Sequence, residues 1–450
     1  MNLTTGLSGI VGELRQSEII GALSHALDLT EGMPAGHAQR CCWIGMHLAR
    51  ELEIDANARD DLYYTLLLKD AGCSSNAARI YSIYRCDDRL LKRDYKRLDS
   101  SRVDQLVKFA ISHVAPGQTW LERLPILARL VGKGEEIGQE VFLTRCEQGA
   151  EIAQQLGFSA TVCDAIRGLD EHWDGQGHPH RLKGEDIPLF SRIALISQVV
   201  EVFFAEGGVP AALHAIRARR GSWFDPQLVE QMERLALDEA FWDGLRAPDI
   251  AGRIVALQPP ECVREISSAE LARLSGAFAA VIDAKSPYTF GHSSRVCQYA
   301  ERIGREAGLG EAELFWLRQA ALLHDIGKLG ISNRILDKPG KLTDEEFAEV
   351  KRHPVYSLDI LSRLGVFESL APVASGHHER LDGKGYPHGL KGSQIDVATR
   401  MIAVADVFDA ISAERPYRGA MPLSQALAIL DEQSGDALDG DFVAALKRTL

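Results

Sequence analysis

The sequence predicts an all-α protein built from two tandem copies of one helical bundle domain. Apolar residues recur at intervals of three and four in residues 296–308, 313–327 and 423–433, which is the period of an amphipathic helix. Runs in which apolar and polar residues alternate, the pattern of a half-buried strand, are scarce. A weak internal repeat indicates that the helical domain is duplicated.

The repeat consists of matching segments at two constant offsets. Residues 169–187 match residues 377–395 at an offset of 208 residues. Upstream of them, residues 66–73 match residues 321–328 at an offset of 255 residues. The two offsets differ by about 47 residues, so the first copy is predicted to carry an insertion of that length between its two matching blocks.

The domain boundaries follow from the extent of the two copies. The first copy is predicted to span residues 1–250 and the second copy residues 269–450. Residues 251–268 are predicted to form a connector, because the adjacent prolines Pro259 and Pro260 interrupt helix continuity there.

Composition and charge exclude several classes of function. The chain has 450 residues, of which 46% are hydrophobic and 25% charged, as in ordinary globular proteins. Its net charge of -13 argues against a general binder of DNA or of anionic membranes. No unbroken apolar run reaches the roughly 18 residues of a membrane span, and no signal peptide is evident. The eight cysteines contain no C-x-x-C pair, so we expect reduced cysteines and a cytoplasmic protein.

The second copy concentrates residue types that bind metals. Imidazole and carboxylate groups suit divalent transition metals, and seven such groups are too many for one ion. They suit two ions that share a carboxylate, an arrangement that activates water for in-line phosphoryl displacement. The candidate ligands are His292, His324, Asp325, His353, His377, His378 and Asp406.

Each of these residues, taken singly, also has a structural explanation. Asp325 precedes Gly327 and suits a turn, and His353 precedes Pro354 and suits a helix end. The adjacent His-Asp and His-His pairs within one copy favour a metal site instead. The first copy supports this interpretation, because it keeps the same frame but lacks most of the ligands.

Four motifs of the second copy resemble those of the HD-GYP domain, a branch of the HD phosphohydrolase superfamily. They are HDIGK at 324–328, HHERLDGKGYP at 377–387, ADVFDA at 405–410 and ERPYR at 414–418, and they follow the order of the family. The resemblance implies an α-helical bundle that binds two or three metal ions, most often iron or manganese. It also implies hydrolysis of cyclic di-GMP to pGpG, and often further to GMP.

The resemblance implies a role for each matching residue. Asp325 would bridge the metals, and Lys328 would contact the scissile phosphate and offset charge in the transition state. Arg415 and Arg418 would bind phosphate oxygens with their guanidinium groups, and Tyr386 would face the ligand. The nucleophile would be a hydroxide that bridges the metals. The other metal ligands would be His292, His324, His353, His377, His378 and Asp406.

Two departures from the family pattern bear on the number of metals. Members with three metals have Glu four residues before the first histidine, where this chain has Tyr288. A phenol with a pKa near 10 is a poor ligand at neutral pH. Many members also have Asp at the position of Ser286. We therefore expect two divalent ions, iron or manganese.

The first copy is predicted to be a degenerate HD domain without a binuclear centre. It keeps His37 and Asp70 of the seven ligands, and Cys73 replaces Lys328. We expect it to regulate the second copy, to mediate dimerisation or binding of a protein partner, or to bind a ligand without chemistry. A local cluster of His172, His178 and His180 is interpreted as a solvated loop. The remaining ligand positions hold Lys69, Arg145, Leu169, Asp170 and Gln198.

The leading hypothesis is therefore a cytoplasmic cyclic di-GMP phosphodiesterase with an inactive N-terminal domain. One alternative is a cyclic di-GMP receptor with slow or no turnover that signals through that domain. Another is a phosphohydrolase of a different cyclic dinucleotide or nucleotide. Identification of the products would separate these hypotheses.

Overall fold

The structure is a computed structural model that describes residues 15–413 and 419–450. The all-α prediction is confirmed, because these residues form helices and loops, with isolated bridges as their only β-type pairing. They divide into two compact units, one of residues 15–265 and one of residues 266–450. The boundary lies within the predicted connector, and the last helix before it belongs to the first unit.

The N-terminal unit contains twelve α-helices among the described residues. They are α1 (Gln16–Thr30), α2 (His37–Glu51), α3 (Ala56–Leu68), α4 (Ala77–Tyr84), α5 (Asp88–Tyr95), α6 (Val103–His113), α7 (Trp120–Gln155), α8 (Ala160–Arg167), α9 (Leu189–Ala218), α10 (Pro226–Leu235), α11 (Glu239–Arg246) and α12 (Ile250–Val255).

The C-terminal unit contains ten α-helices among the described residues. They are α13 (Ser268–Asp283), α14 (His292–Glu306), α15 (Glu311–Leu323), α16 (Asn333–Leu336), α17 (Asp344–Val350), α18 (His353–Leu361), α19 (Leu370–Ser375), α20 (Val397–Ser412), α21 (Leu423–Gln433) and α22 (Gly440–Thr449).

The helix bounds reproduce the repeat seen in the sequence. Helices α2 and α14 begin and end at positions that differ by the 255-residue offset, and so do α3 and α15. Helices α9 and α20 begin 208 residues apart. The inserted residues of the N-terminal unit form α5, α6 and the first part of α7. The two units are thus the same bundle with different elements in one connection.

Helix α14 shows how the core of the C-terminal unit positions a functional side chain. Its buried residues include His292, Val296, Ala300 and Ile303, which recur at helical spacing along one face. Burial of the three apolar residues packs this face into the core. His292, at the N-terminus of the same face, is only 2% exposed and is thereby held inside the bundle.

A glycine allows two segments of the C-terminal unit to approach closely. Helix α15 ends at Leu323, and the short 3₁₀ helix Ile326–Gly330 follows. A Cβ atom on Gly327 would lie 1.9 Å from the carbonyl oxygen of His353, so no other residue fits at this position. Ser357 accepts a hydrogen bond from the Gly327 N–H at 2.9 Å and donates one to the His324 carbonyl at 2.9 Å. These contacts hold the start of α18 beside the residues that follow α15.

Within the described residues, one helix is long and apolar enough to cross a bilayer by length and composition alone. It is α9, in which Gly207 and Gly208 have non-helical backbone angles. Its buried residues include Ile193, Ile196 and Val200, which belong to the core of the N-terminal unit. Burial of these residues accounts for part of its apolar composition.

Candidate metal centre

Three histidines of the C-terminal unit present the Nε2 atom of the ring to the interior. In each, Nδ1 lies against a backbone carbonyl oxygen, which can only accept a hydrogen bond, so Nδ1 carries the proton. In the neutral form of each ring, the Nε2 atom is then left with a free lone pair. The contacts are His324 to Ala321 at 2.6 Å, His353 to Val350 at 2.7 Å and His377 to Ala374 at 2.7 Å.

The seven predicted ligands come together in the structure as two groups joined by one carboxylate. The first group is His292, His324 and Asp406, and the second is His353, His377 and His378. Within each group, the candidate ligand atoms lie within 4.8 Å of one another. Each group thus offers three ligand atoms to one ion.

Asp325 lies between the two groups and turns one oxygen toward each. Its Oδ2 atom is 3.3 Å from His292 Nε2 and 3.2 Å from His324 Nε2. Its Oδ1 atom is 3.3 Å from His353 Nε2 and 3.6 Å from His377 Nε2. Asp325 would therefore be able to bridge two metal ions, as the resemblance implies for this residue.

Buried polar atoms without a hydrogen-bond partner indicate that the seven ligands together form a site for cations. His292 Nε2, His324 Nε2 and Asp325 Oδ1 are buried without a hydrogen-bond partner, which is rare for polar atoms in folded proteins. The Nε2 atoms of His353 and His377 lie 3.3 Å apart although neither carries a proton. Divalent ions between these lone pairs would satisfy all of them, so the residues present fit two such ions.

The electrostatics of the site keep His353, His377 and Asp325 in the states that bind metal. Burial lowers the pKa of His353 to about 3 and that of His377 well below its usual value, so both rings are neutral. Burial alone would raise the pKa of Asp325, but the ammonium group of Lys328 helps to hold it well below its usual range. Asp325 is therefore a carboxylate near neutral pH.

Asp409 is a functional residue that the sequence analysis missed. Its Oδ2 atom accepts a hydrogen bond from His292 Nδ1 at 2.7 Å, and Arg295 donates to the same carboxylate at 2.6 and 3.0 Å. The contact fixes the proton of His292 on Nδ1 and turns Nε2 toward Asp406, 3.3 Å away. A carboxylate behind a histidine in this way orients the ring and raises its basicity toward a metal.

The repeat contained the signal that identifies Asp409. The residue 208 positions earlier is Glu201, and His37 and Arg40 lie 255 positions before His292 and Arg295. In the N-terminal unit, Glu201 contacts His37 Nδ1 at 2.5 Å and Arg40 Nε at 2.7 Å. Both copies thus keep the same histidine, carboxylate and arginine, which comparison at the two offsets would have revealed.

An Asp409→Asn variant is expected to bind metal about 10- to 100-fold more weakly, which is typical for loss of such a supporting carboxylate. The amide removes the negative charge behind His292 and weakens its hold on the Nδ1 proton. Titration of the metal-depleted full chain with Mn²⁺ measures the change. Asp431→Asn, at an exposed residue of α21, is the control. Equal affinities in the two variants would contradict the role of Asp409.

The residues predicted to contact substrate lie partly at this centre. Lys328 Nζ contacts Asp325 Oδ2, so in this structure it neutralises the bridging carboxylate. The ring of Tyr386 lies 4.7 Å from that of His378, and burial raises the pKa of its phenol well above its usual value. Arg415 and Arg418 lie outside the described residues.

The two positions that depart from the family pattern make other contacts. The Ser286 hydroxyl donates a hydrogen bond to Asp337 at 2.5 Å, and the Tyr288 side chain is 37% exposed. The centre offers one group of ligands to each of two proposed ions. The count of two metals stays a prediction.

In the N-terminal unit, a lysine ammonium group occupies the position of the first group of ligands. Lys69 Nζ contacts His37 Nε2 at 3.2 Å, Gln198 Oε1 at 3.0 Å and an oxygen of Asp70. These three residues correspond to His292, Asp406 and Asp325 in the C-terminal unit. The ammonium group thus lies at the position that corresponds to the first proposed ion. It neutralises Asp70, which is the counterpart of Asp325.

In the N-terminal unit, the guanidinium group of Arg145 lies at the position that corresponds to the second group of ligands. Arg145, at the position of His353, contacts Asp170 at 3.1 Å and lies 3.9 Å from Asp70. Two further triads of metal-ligand types in this unit are already neutralised by cations: Arg40 pairs with Glu201 in one, and Lys96 pairs with Glu31 in the other. We therefore keep the prediction that this unit holds no binuclear centre.

The histidine cluster of the N-terminal unit is more packed than the predicted solvated loop. His172 stacks on Trp223 at 4.1 Å and is 8% exposed, and His178 stacks on Phe142 at 4.9 Å. His180 remains at the surface, 3.8 Å from Glu147. Aromatic neighbours, which lie far away in sequence, account for the burial of His172 and the partial burial of His178.

Comparisons with known proteins relate both units to one family. The family model described as HD domain matches residues 139–228 and 277–442. The chain is 49% identical over 434 residues to 3'3'-cGAMP-specific phosphodiesterase 3 of Vibrio cholerae, which covers 96% of this chain and 94% of that protein. It is 43% identical over 159 residues to a cyclic di-GMP phosphodiesterase of Thermotoga maritima, covering 35% of this chain and 43% of that protein.

A solved structure extends the similarity to the fold. The crystal structure of a cyclic GMP-AMP specific phosphodiesterase of Vibrio cholerae matches with a TM-score of 0.67 at 44% sequence identity. The match covers 97% of this chain and 98% of that chain. The similarity therefore includes both units.

Proposed function

The chain belongs to the HD domain family, in its HD-GYP branch, and on that premise we propose that it is a metal-dependent phosphodiesterase of cyclic purine dinucleotides. The observation that carries the proposal is Asp325, whose two oxygens face two separate groups of metal ligands. The family match over both units and the full-length relative support the same reaction class.

The residues of the chain have distinct tasks in this proposal. The two ligand groups would hold two divalent ions, iron or manganese, which supply activation of water and neutralisation of phosphate charge. Asp409 orients His292, and the carbonyl partners orient His324, His353 and His377. Lys328, 19% exposed beside Asp325, provides a positive charge for the scissile phosphate. Asp325 and Lys328 are thus the proposed catalytic pair.

The rim of the site offers the contacts for the rest of the substrate. Tyr386 forms an aromatic wall beside His378, and Lys351 Nζ lies 5.6 Å from the centroid of the Tyr386 ring. Such a wall suits the face of a purine, and the lysine suits a second phosphate. Arg415 and Arg418 remain proposed phosphate ligands from the sequence resemblance.

We propose 3'3'-cGAMP as the preferred substrate and cyclic di-GMP as the second candidate. The relative named for 3'3'-cGAMP matches 96% of this chain, whereas the relative from Thermotoga maritima named for cyclic di-GMP matches 35%. Similarity over both units supports a shared substrate more strongly than similarity over the metal-binding region alone. Both nucleotides present the same type of phosphodiester bond.

The two nucleotides can be compared directly with the full chain loaded with Mn²⁺ or Fe²⁺ under anaerobic conditions. We expect hydrolysis of both, with kcat/KM at least about tenfold higher for 3'3'-cGAMP, a difference of 1.4 kcal/mol in transition-state binding. Chromatography identifies the linear and mononucleotide products, and a chelator-treated sample is the control. Equal values would contradict the preference. Binding of both nucleotides without any product would contradict the phosphodiesterase and favour a receptor.

We propose a cytoplasmic location. The structure leaves all eight cysteines as free thiols, seven of them buried, which supports a reducing compartment. A homodimer or a protein partner bound through the N-terminal unit remains a prediction.

A further inference from the structure

The N-terminal unit contains a cavity of about 630 Å³, a volume typical of small-molecule sites. The inserted residues supply much of its wall, through side chains of α5, α6 and the first part of α7. Arg181 and Glu135, which form an ion pair and are 60% and 68% exposed, lie at its rim. The cavity is thus open to solvent at one side.

The cavity is lined by residues that correspond to members of the proposed active site of the C-terminal unit. Among its lining residues, Cys73 corresponds to Lys328 by the 255-residue offset. Arg145 and His178 correspond to His353 and Tyr386 by the 208-residue offset. The N-terminal unit therefore lacks most of the metal ligands. It has a cavity beside their positions, and the inserted helices form part of the cavity wall.

Fixed cations replace the metal charge at the inner end of the cavity. Lys92, Lys96 and Arg145 line it, and Lys69 lies behind Asp70. Within this cluster, Glu31 pairs with Lys96 at 3.0 Å and Asp170 pairs with Arg145 at 3.1 Å. Four basic and three acidic side chains line the cavity in total, in a chain whose net charge is -13. Such a cluster can bind an anion without any metal.

Aromatic rings form the wall next to these cations. Six side chains with π faces line the cavity, and Phe142 and His178 stack at 4.9 Å with an angle of 6° between their planes. Flat aromatic surfaces bind nucleobases by stacking, whatever the base. The six are Tyr84, Tyr95, Phe109, Phe142, His172 and His178.

We propose that this cavity is a second, metal-independent binding site for a purine nucleotide, which is held there without hydrolysis. Its phosphate would contact Arg145 and Lys96, and its base would stack among the aromatic rings. No bond is broken in this site, because Lys69 and Arg145 occupy the positions of the ions that would activate water. The proposal concerns a site separate from the metal centre and does not depend on the phosphodiesterase activity.

Two glycines of helix α7 provide a matched test of this site. Gly138 lines the cavity and Gly132 does not, and a Cβ atom on either would meet nothing within 4 Å. Leucine favours the helix over glycine at both positions. Gly138→Leu therefore fills the cavity, whereas Gly132→Leu adds the same side chain to the exposed surface of the same helix. Phe142→Leu is a second variant, which removes an aromatic ring and keeps most of its volume.

Binding is measured by calorimetry with the full-length Asp325→Asn chain in the presence of chelator, so that no probe is hydrolysed. The probes are GMP, AMP, cyclic di-GMP and 3'3'-cGAMP. We expect at least one probe to bind, with a dissociation constant raised tenfold or more by Gly138→Leu and by Phe142→Leu but unchanged by Gly132→Leu. The absence of binding by all four probes at millimolar concentration would overturn the proposal. Equal affinities in the two glycine variants would overturn it as well.

Discussion

Replacement of Asp325 by asparagine is expected to reduce hydrolysis by at least about 10³-fold, which corresponds to roughly 4 kcal/mol of transition-state stabilisation. Asp325 is the residue whose two oxygens face both groups of metal ligands, at 3.2 to 3.6 Å from four histidine nitrogens. The amide lacks the negative charge that would hold the two proposed cations together. Because asparagine has nearly the same size, the helical fold should remain.

The measurement compares kcat and metal content of the purified variant with those of the parent chain. Circular dichroism and the melting temperature establish that the variant is folded. Asp431→Asn, the same exchange at an exposed residue, should retain full activity. Full activity of a metal-loaded Asp325→Asn chain would exclude the bridging role and the mechanism derived from it.

Replacement of Gly327 by alanine is expected to cost about 3 kcal/mol or more in the free energy of unfolding, because a buried methyl group would overlap fixed backbone. A Cβ atom there would lie 1.9 Å from the carbonyl oxygen of His353 and 2.6 Å from the nitrogen of Ser357. Relief of this overlap must move α18 away from Asp325. His353 would leave the second ligand group, so metal binding should fall together with stability.

Thermal or urea unfolding with and without Mn²⁺ measures both effects of the Gly327→Ala exchange. Gly276→Ala is the matched control in the same unit, since a Cβ atom on that glycine of α13 meets nothing within 4 Å. It should be neutral or slightly stabilising, because alanine favours a helix over glycine. A Gly327→Ala chain as stable as the control, with unchanged metal affinity, would contradict the close packing of α18 on the 3₁₀ helix.

Much of the fold could be predicted from the sequence because it depends on periodicity. The three- and four-residue spacing of apolar residues sets the helices, and the two offsets set the duplication, down to the shared bounds of α2 and α14. The course of the insertion could not be predicted in the same way. Its helix α6 has no buried residue. Because no face of α6 is packed into a core, the sequence pattern does not predict where the helix lies.

The candidate ligands could be identified from their types and motifs, but their grouping could not. Spacing along the chain does not show that His292 joins His324 and Asp406, or that Asp325 turns one oxygen to each group. The role of Lys69 could not be predicted either, because the sequence does not show where its ammonium group lies. The sequence shows that a histidine is missing there, whereas only the fold shows that the ammonium group takes the place of an ion.

The most direct test of the account is the position of the metals in a crystal of the full chain loaded with Mn²⁺, found from anomalous scattering at the manganese edge. The account predicts two peaks in the C-terminal unit, one on each side of Asp325, and no peak beside Lys69 in the N-terminal unit. A single peak at Asp325, or a peak among His37, Asp70 and Gln198, would contradict it.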